Sequence, residues 1–198
     1  MNKVLDACTI IRLVRVGLFD EVVTRYNGKL YVADSALREV SRNPSKKMLR
    51  WAINAGFVNV YKVPKKDSDD AYHQIHAFHI KLHYDDVPNI VACKQLGAEL
   101  VTDDHVLFDA VHQWRHALGI KLFVLNTRGL LFELMLSGKL DLIIFIKGIL
   151  DLFRYSELPN TIHQLDKDIL TLKDVQQLFG EYENYLLKAV RFHQLGQR

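Results

Sequence analysis

At 198 residues the chain has room for one domain of ordinary size with an appendage. With 49% hydrophobic and 25% charged residues, its composition is that of a folded globular protein and excludes a disordered or fibrous chain. The net charge of +3 admits a phosphate-bearing partner without demanding one. Cys8 and Cys93 sit beside apolar neighbours with no metal-ligand spacing, so they read as buried free thiols of a reducing compartment rather than a disulfide framework. The start of the chain lacks the basic, apolar and small-residue succession of a signal peptide. The most apolar segment, LDLIIFI (140–146), stops at Lys147 and is too short for a bilayer. A cytoplasmic protein is expected.

Taken in order, short apolar runs alternate with helix-period segments. KVL leads into TIIRLVRVGLFDEVVTRYN, and KLYVA into DSALREV and then KKMLRWAINAG. VNVYKV precedes a helix from about Ser68 to His83. DDVPNIVACKQLG offers an Asp as N-cap, Pro88 in its first turn and Gly97 as its stop, and is apolar nearly all round, so it should be deeply packed. AELV is followed by DDHVLFDAVHQWRHALG, where Val106, Leu107, Ala110, Val111, Trp114 and Leu118 form one stripe that ends at Gly119. KLFVL leads into NTRGLLFELML. Strands recurring between helices predict an α/β fold, a mostly parallel sheet with helices on both faces. Beyond about residue 128 the strand signal disappears. GLLFELMLSGKL, LIIFIKGILDLF and LKDVQQLFGEYENYLLKAV read as three helices, with SELPNTIHQ as a loop. The expected organisation is an α/β domain over 1–127 and a helical extension over 128–198.

Ligands of parallel α/β sheets sit beyond the carboxyl ends of the strands. Asp6 stands at such an end, where Thr9 can share the helix capping; Asp104 stands at another, with Asp103 beside it. Asp86, preceded by Asp85, heads the apolar helix, and Glu39 lies early in the helix after KLYVA. Acids brought to one edge repel, and a hard divalent cation such as Mg²⁺ or Mn²⁺ relieves the repulsion. Each acid alone is ordinary near a helix start. Two other acidic phosphate chemistries fit poorly. A haloacid dehalogenase-type phosphatase needs a second Asp at position 8, which is Cys. A response-regulator receiver needs a Lys after a late strand, where Asn126 and Thr127 stand.

In VLDACTIIRL, ADSALREVSR and DDVPNIVACKQLGAELVTDD the sequence resembles the PIN-domain nucleases, among them the VapC-type ribonuclease toxins. The resemblance covers roughly residues 1–127. It implies an endoribonuclease in which Asp6, Glu39, Asp86 and Asp104 bind Mg²⁺ or Mn²⁺ and RNA is cut to 5′-phosphate and 3′-hydroxyl ends. Thr102 falls on the supporting hydroxyl residue. Asp85 and Asp103 double two of the acids, so either could replace its neighbour as ligand. Pro88 departs from the usual third motif, and the helical tail exceeds the minimal domain.

Arg38, Arg42, Lys46, Lys47 and Arg50 cluster around and after Glu39, and Arg12 and Arg15 follow Asp6. They are candidate contacts to an RNA backbone, or else a solvated helix face. In YHQIHAFHIKLHYDD, His73, His76, His79 and His83 share one helix side opposite Ala71, Ile75, Phe78 and Leu82; no acid or Cys completes a tetrahedral zinc set. The tail stripe Leu172, Val175, Phe179, Tyr182, Leu186 and Val190 would dock on the first domain, or bind a second copy or an inhibitory protein such as an antitoxin. The expected partner is RNA, with DNA as the other substrate to test and no membrane. The competing reading is a non-catalytic PIN-like module that binds RNA or a protein.

Overall fold

The computed structural model describes residues 1–77, 81–118 and 121–155. Phe78, His79, Gly119, the SELPNTIHQ loop and the third tail helix with its apolar stripe lie outside the described residues. Five strands form one sheet: β1 (Lys3–Leu5), β2 (Leu30–Ala33), β3 (Val58–Tyr61), β4 (Glu99–Val101) and β5 (Val124–Leu125). Their order is β3-β2-β1-β4-β5 and every pairing is parallel. The fold is therefore α/β. All five strands coincide with the apolar runs read from sequence. β1 is central, and its carboxyl end meets that of β4, with Leu5 opposite Val101.

Alternation along β1 separates the two faces. Val4 turns to one side and joins a buried cluster with Ala71 and Ile75 of α5 (Lys65–His76) and Val87, Ile90, Val91, Ala92 and Cys93 of α6 (Val87–Leu96). Leu107, Ala110, Val111 and Trp114 of α7 (His105–Leu118) complete it. The expected deep packing of DDVPNIVACKQLG is observed, since residues 87–93 are all buried. Lys3 turns to the other side, toward Tyr26 of α2 (Phe19–Tyr26) and Glu133 of α8 (Thr127–Leu136). That side also holds α1 (Ala7–Arg15) and α4 (Ser45–Asn54), which contact each other and α2. Helices thus cover both faces.

Two details depart from the sequence reading. TIIRLVRVGLFDEVVTRYN forms two helices, α1 and α2, because the chain turns at Gly17 (φ 69°). The Gly17 N–H bonds Val14 O and the Leu18 N–H bonds Leu13 O, the paired closure of a helix by a left-handed glycine. The helix expected from Ser68 to His83 instead spans Lys65–His76 among the described residues, and Tyr84–Asp86 form a 3-10 turn before α6. One compact unit runs Met1–Tyr155. Leu130, Leu131 and Leu134 of α8 are buried, and α9 (Leu142–Tyr155) brings Gly148 so close to Leu18 that a side chain there would collide. No helix among the described residues is long and apolar enough to cross a membrane.

Candidate metal centre

Asp6 is the residue on which the site is built. It follows β1 directly, accepts from the Ala7 N–H at 2.6 Å and so caps α1, and is only 3% exposed. Thr9 takes no part in that cap; its hydroxyl donates to Val101 O at 3.0 Å and ties α1 to β4. Thr102, fully buried after β4, donates from Oγ1 to Asp6 Oδ2 at 2.9 Å and accepts from the Asp104 N–H at 3.0 Å. The Cys8 thiol donates to the same Oδ2 at 2.7 Å. Asn89 of α6 donates from Nδ2 to Oδ1 at 3.4 Å. Four donors around one carboxylate fix its direction tightly.

Two further acids reach Asp6. Glu39 ends α3 (Asp34–Glu39), the short helix after β2, and Asp86 ends the 3-10 turn before α6. One carboxylate oxygen from each of Asp6, Glu39 and Asp86 lies within 4.8 Å of the others. Asp86 precedes α6 but does not cap it: its backbone is helical and its side chain accepts no capping bond. That leaves its carboxylate for the cluster.

The charge balance of this cluster is unfavourable as it stands. Burial, then the charges of Asp6 and Asp86, push the Glu39 carboxyl up to about 7. Burial, then Asp6 and Asp104, push Asp86 up to about 6. Asp6 is raised too, chiefly by burial, although its hydrogen bonds pull the other way. Burial and the neighbouring Asp6 raise the Cys8 thiol to about 12, so it stays protonated and able to donate. Among the charges acting on Glu39, Arg38 is the one that lowers it, and it is the smallest contribution. Three carboxylate oxygens at this separation, each with its negative charge disfavoured by burial and by its neighbours, form a donor set suited to a hard divalent cation. The residues present therefore fit Mg²⁺ or Mn²⁺.

Asp104 does not join the three. Its Oδ1 accepts from the N–H groups of Val106 at 2.7 Å and Leu107 at 3.1 Å, so it caps α7. Its charge still reaches Asp6 and Asp86, where it raises both. Asp103 has partners of its own. Its carboxylate accepts from the Thr127 N–H at 3.0 Å and from the Thr127 hydroxyl, and pairs with Arg12 Nη1 at 3.3 Å. Asp85 is exposed and lies 3.6 Å from His83 Nδ1.

The basic residues separate into two kinds. Arg12 is occupied by Asp103, whereas Arg15, Arg38, Arg42, Lys47 and Arg50 are exposed and Lys46 is half-buried. His73 and His76 lie against the Tyr72 ring at 6.0 and 5.0 Å, and neither belongs to a metal-competent group among the described residues. Cys8 and Asn89 escaped the sequence reading as site residues. Asn89 had a signal: it is a polar residue inside an apolar helix, three positions after Asp86.

No protein-family model matches the chain, and no curated protein matches it. Solved structures do. The crystal structure of PAE2754 from Pyrobaculum aerophilum is 15% identical, with a TM-score of 0.50 over 69% of this chain and 96% of that one. At this identity the likeness shows a shared α/β fold.

Proposed function

We propose that the protein is a metal-dependent endoribonuclease of PIN-domain type. The observation that carries the reading is the convergence of Asp6, Glu39 and Asp86 within 4.8 Å at the carboxyl edge of a parallel sheet. Their raised proton affinities mark a pocket short of positive charge. These three carboxylates would hold Mg²⁺ or Mn²⁺. When bound, such an ion supplies a Lewis acid for a phosphate oxygen and lowers the pKa of water.

The chain's own residues do the rest. Thr102, Cys8 and the Ala7 N–H hold Asp6 in one orientation, so the acid does not have to be ordered when a cation or substrate arrives. Arg38 adjoins Glu39, and Arg42, Lys47 and Arg50 present exposed positive charge to a phosphodiester backbone. Binding through these groups weakens as salt rises. A cytoplasmic location and control by an inhibitory protein belong to the same reading.

The test uses labelled single-stranded RNA with Mn²⁺, beside an Asp6→Asn variant and an EDTA control; single-stranded DNA in parallel lanes assigns the substrate. Cleavage by the wild type alone, giving 5′-phosphate ends, is expected. The same background in all three lanes, with RNA still bound, would instead establish the non-catalytic module. That second reading draws its support from Asp104, whose carboxylate is committed to capping α7.

A further inference from the structure

Asn89 lies one turn along α6 from Asp86 and is fully buried. Its amide is half satisfied. Nδ2 reaches Asp6 Oδ1 across 3.4 Å, a long bond, while Oδ1 has no hydrogen-bond partner among the described residues. Buried acceptors nearly always have a donor, so an orphan oxygen together with a long Nδ2 bond marks an amide that its protein partners do not fix in one orientation beside the acids. Resting on the divalent-cation reading above, we propose that Asn89 supplies a fourth protein oxygen to the coordination sphere of that cation.

The chemistry favours this role. The nitrogen and oxygen of an Asn amide exchange places by a turn about the terminal side-chain torsion, with the backbone unmoved. Without a cation, the N–H must face the Asp6 carboxylate, since two oxygens there would repel. With a cation between them, the carbonyl oxygen becomes the better neighbour. Amide carbonyl oxygens are hard donors that suit Mg²⁺ and Mn²⁺. A neutral donor also suits a pocket where three carboxylates outweigh a doubly charged ion. Asp104, the acid expected in fourth place, is held at the start of α7.

The full-length protein, stripped with EDTA and dialysed, would be titrated with Mn²⁺ at pH 7.5 by calorimetry. Wild type would be compared with Asn89→Leu, which keeps the shape and removes both polar atoms, and Asn89→Asp, which keeps an oxygen and loses the N–H. The expected result is at least tenfold weaker binding by Asn89→Leu and undiminished binding by Asn89→Asp. Two results overturn the proposal alone: both variants binding like wild type, or both weakening equally, which would assign the effect to the N–H. Failure of the wild type itself to take up Mn²⁺, matching Asp6→Asn, overturns the cation reading and this proposal with it. Circular dichroism checks that each variant is folded, and Asn89→Ser replaces Asn89→Leu if the latter is not.

Discussion

The two ends of β1 bury opposite charges and resolve them differently. At its start, Lys3 is 1% exposed and is met by Glu99 of the adjacent strand and Glu133 of α8, with the Tyr26 ring 5.9 Å from its ammonium. The Tyr26 hydroxyl also donates to Glu133 at 3.4 Å, and burial with that neighbour raises its pKa. The buried ammonium is thus met by carboxylates of the chain itself. At the other end, three residues on from Lys3, Asp6 gathers two more acids; Arg12, on the helix that Asp6 caps, pairs with Asp103. The lesson is that a buried charge met by its counterpart reads as architecture. A cluster of one sign gathered on a buried acid, itself braced by hydrogen bonds that keep it in place, reads as a site for a partner from outside.

Removing the balancing charge at the structural end should have the largest effect. Lys3→Met keeps length and apolar bulk but leaves Glu99 and Glu133 without their cation. Glu133 is 45% exposed and can turn to water, whereas Glu99 is 13% exposed and cannot readily do so. A loss of about 3 kcal/mol is expected in urea denaturation, the lower end of the range for breaking a buried pair. A loss under about 0.5 kcal/mol would mean that the cluster contributes little and that the contrast between the two ends is false.

At the other end, Asp6→Asn should leave the fold in place and reduce Mn²⁺-dependent cleavage by at least about a hundredfold, or roughly 2.7 kcal/mol of transition-state stabilisation. Activity within a fewfold of wild type would remove Asp6 from the chemistry.

The acid cluster should also leave a mark on stability before any metal is added. Glu39 and Asp86 have folded pKa values of about 7 and about 6, above the ordinary 4.5 and 3.8. The folded state therefore binds more protons than the unfolded one across this window. Stability is full below about pH 4 and falls as pH rises toward 7. With solvent screening at the exposed Glu39, the fall amounts to about 2 kcal/mol. Thermal melts in EDTA from pH 4.5 to 8 should show it, and Glu39→Gln or saturating Mn²⁺ should flatten it. A melting temperature that rises steadily over that range would contradict the crowding of the three acids.

Sequence patterning exposed the five strands because each is a short apolar run between turn signals, and it singled out Asp6 and Asp86 because strand ends and helix starts are where α/β sites form; Glu39, expected early in its helix, stands at the last residue of α3. What it missed depended on contacts remote in the chain. Lys3 lay hidden in a strand read as apolar, although Glu99 and Glu133, acids inside AELV and GLLFELML, were the available hint. The break at Gly17 turned on one glycine adopting a positive φ within an unbroken helical period. Asp103 and Asp104 look equivalent in sequence, and only the positions of Thr127 and the start of α7 decide their partners.

Asp104 gives the smallest effect and the sharpest test of where the site ends. Asp104→Ala removes the cap of α7 and should cost about 1 kcal/mol in stability. Asp104→Asn keeps an oxygen for the Val106 and Leu107 N–H groups and should cost only a few tenths of that figure. Both variants remove the same negative charge, which reaches Asp6 and Asp86. If Asp104 acts only through that distant charge, both should weaken Mn²⁺ binding equally and by no more than a fewfold. Binding lost by about a hundredfold in both variants would make Asp104 a ligand after all, turned from its cap toward the metal once one is present. A loss confined to Asp104→Ala would trace instead to disorder at the start of α7, and so to the strand end that carries Thr102.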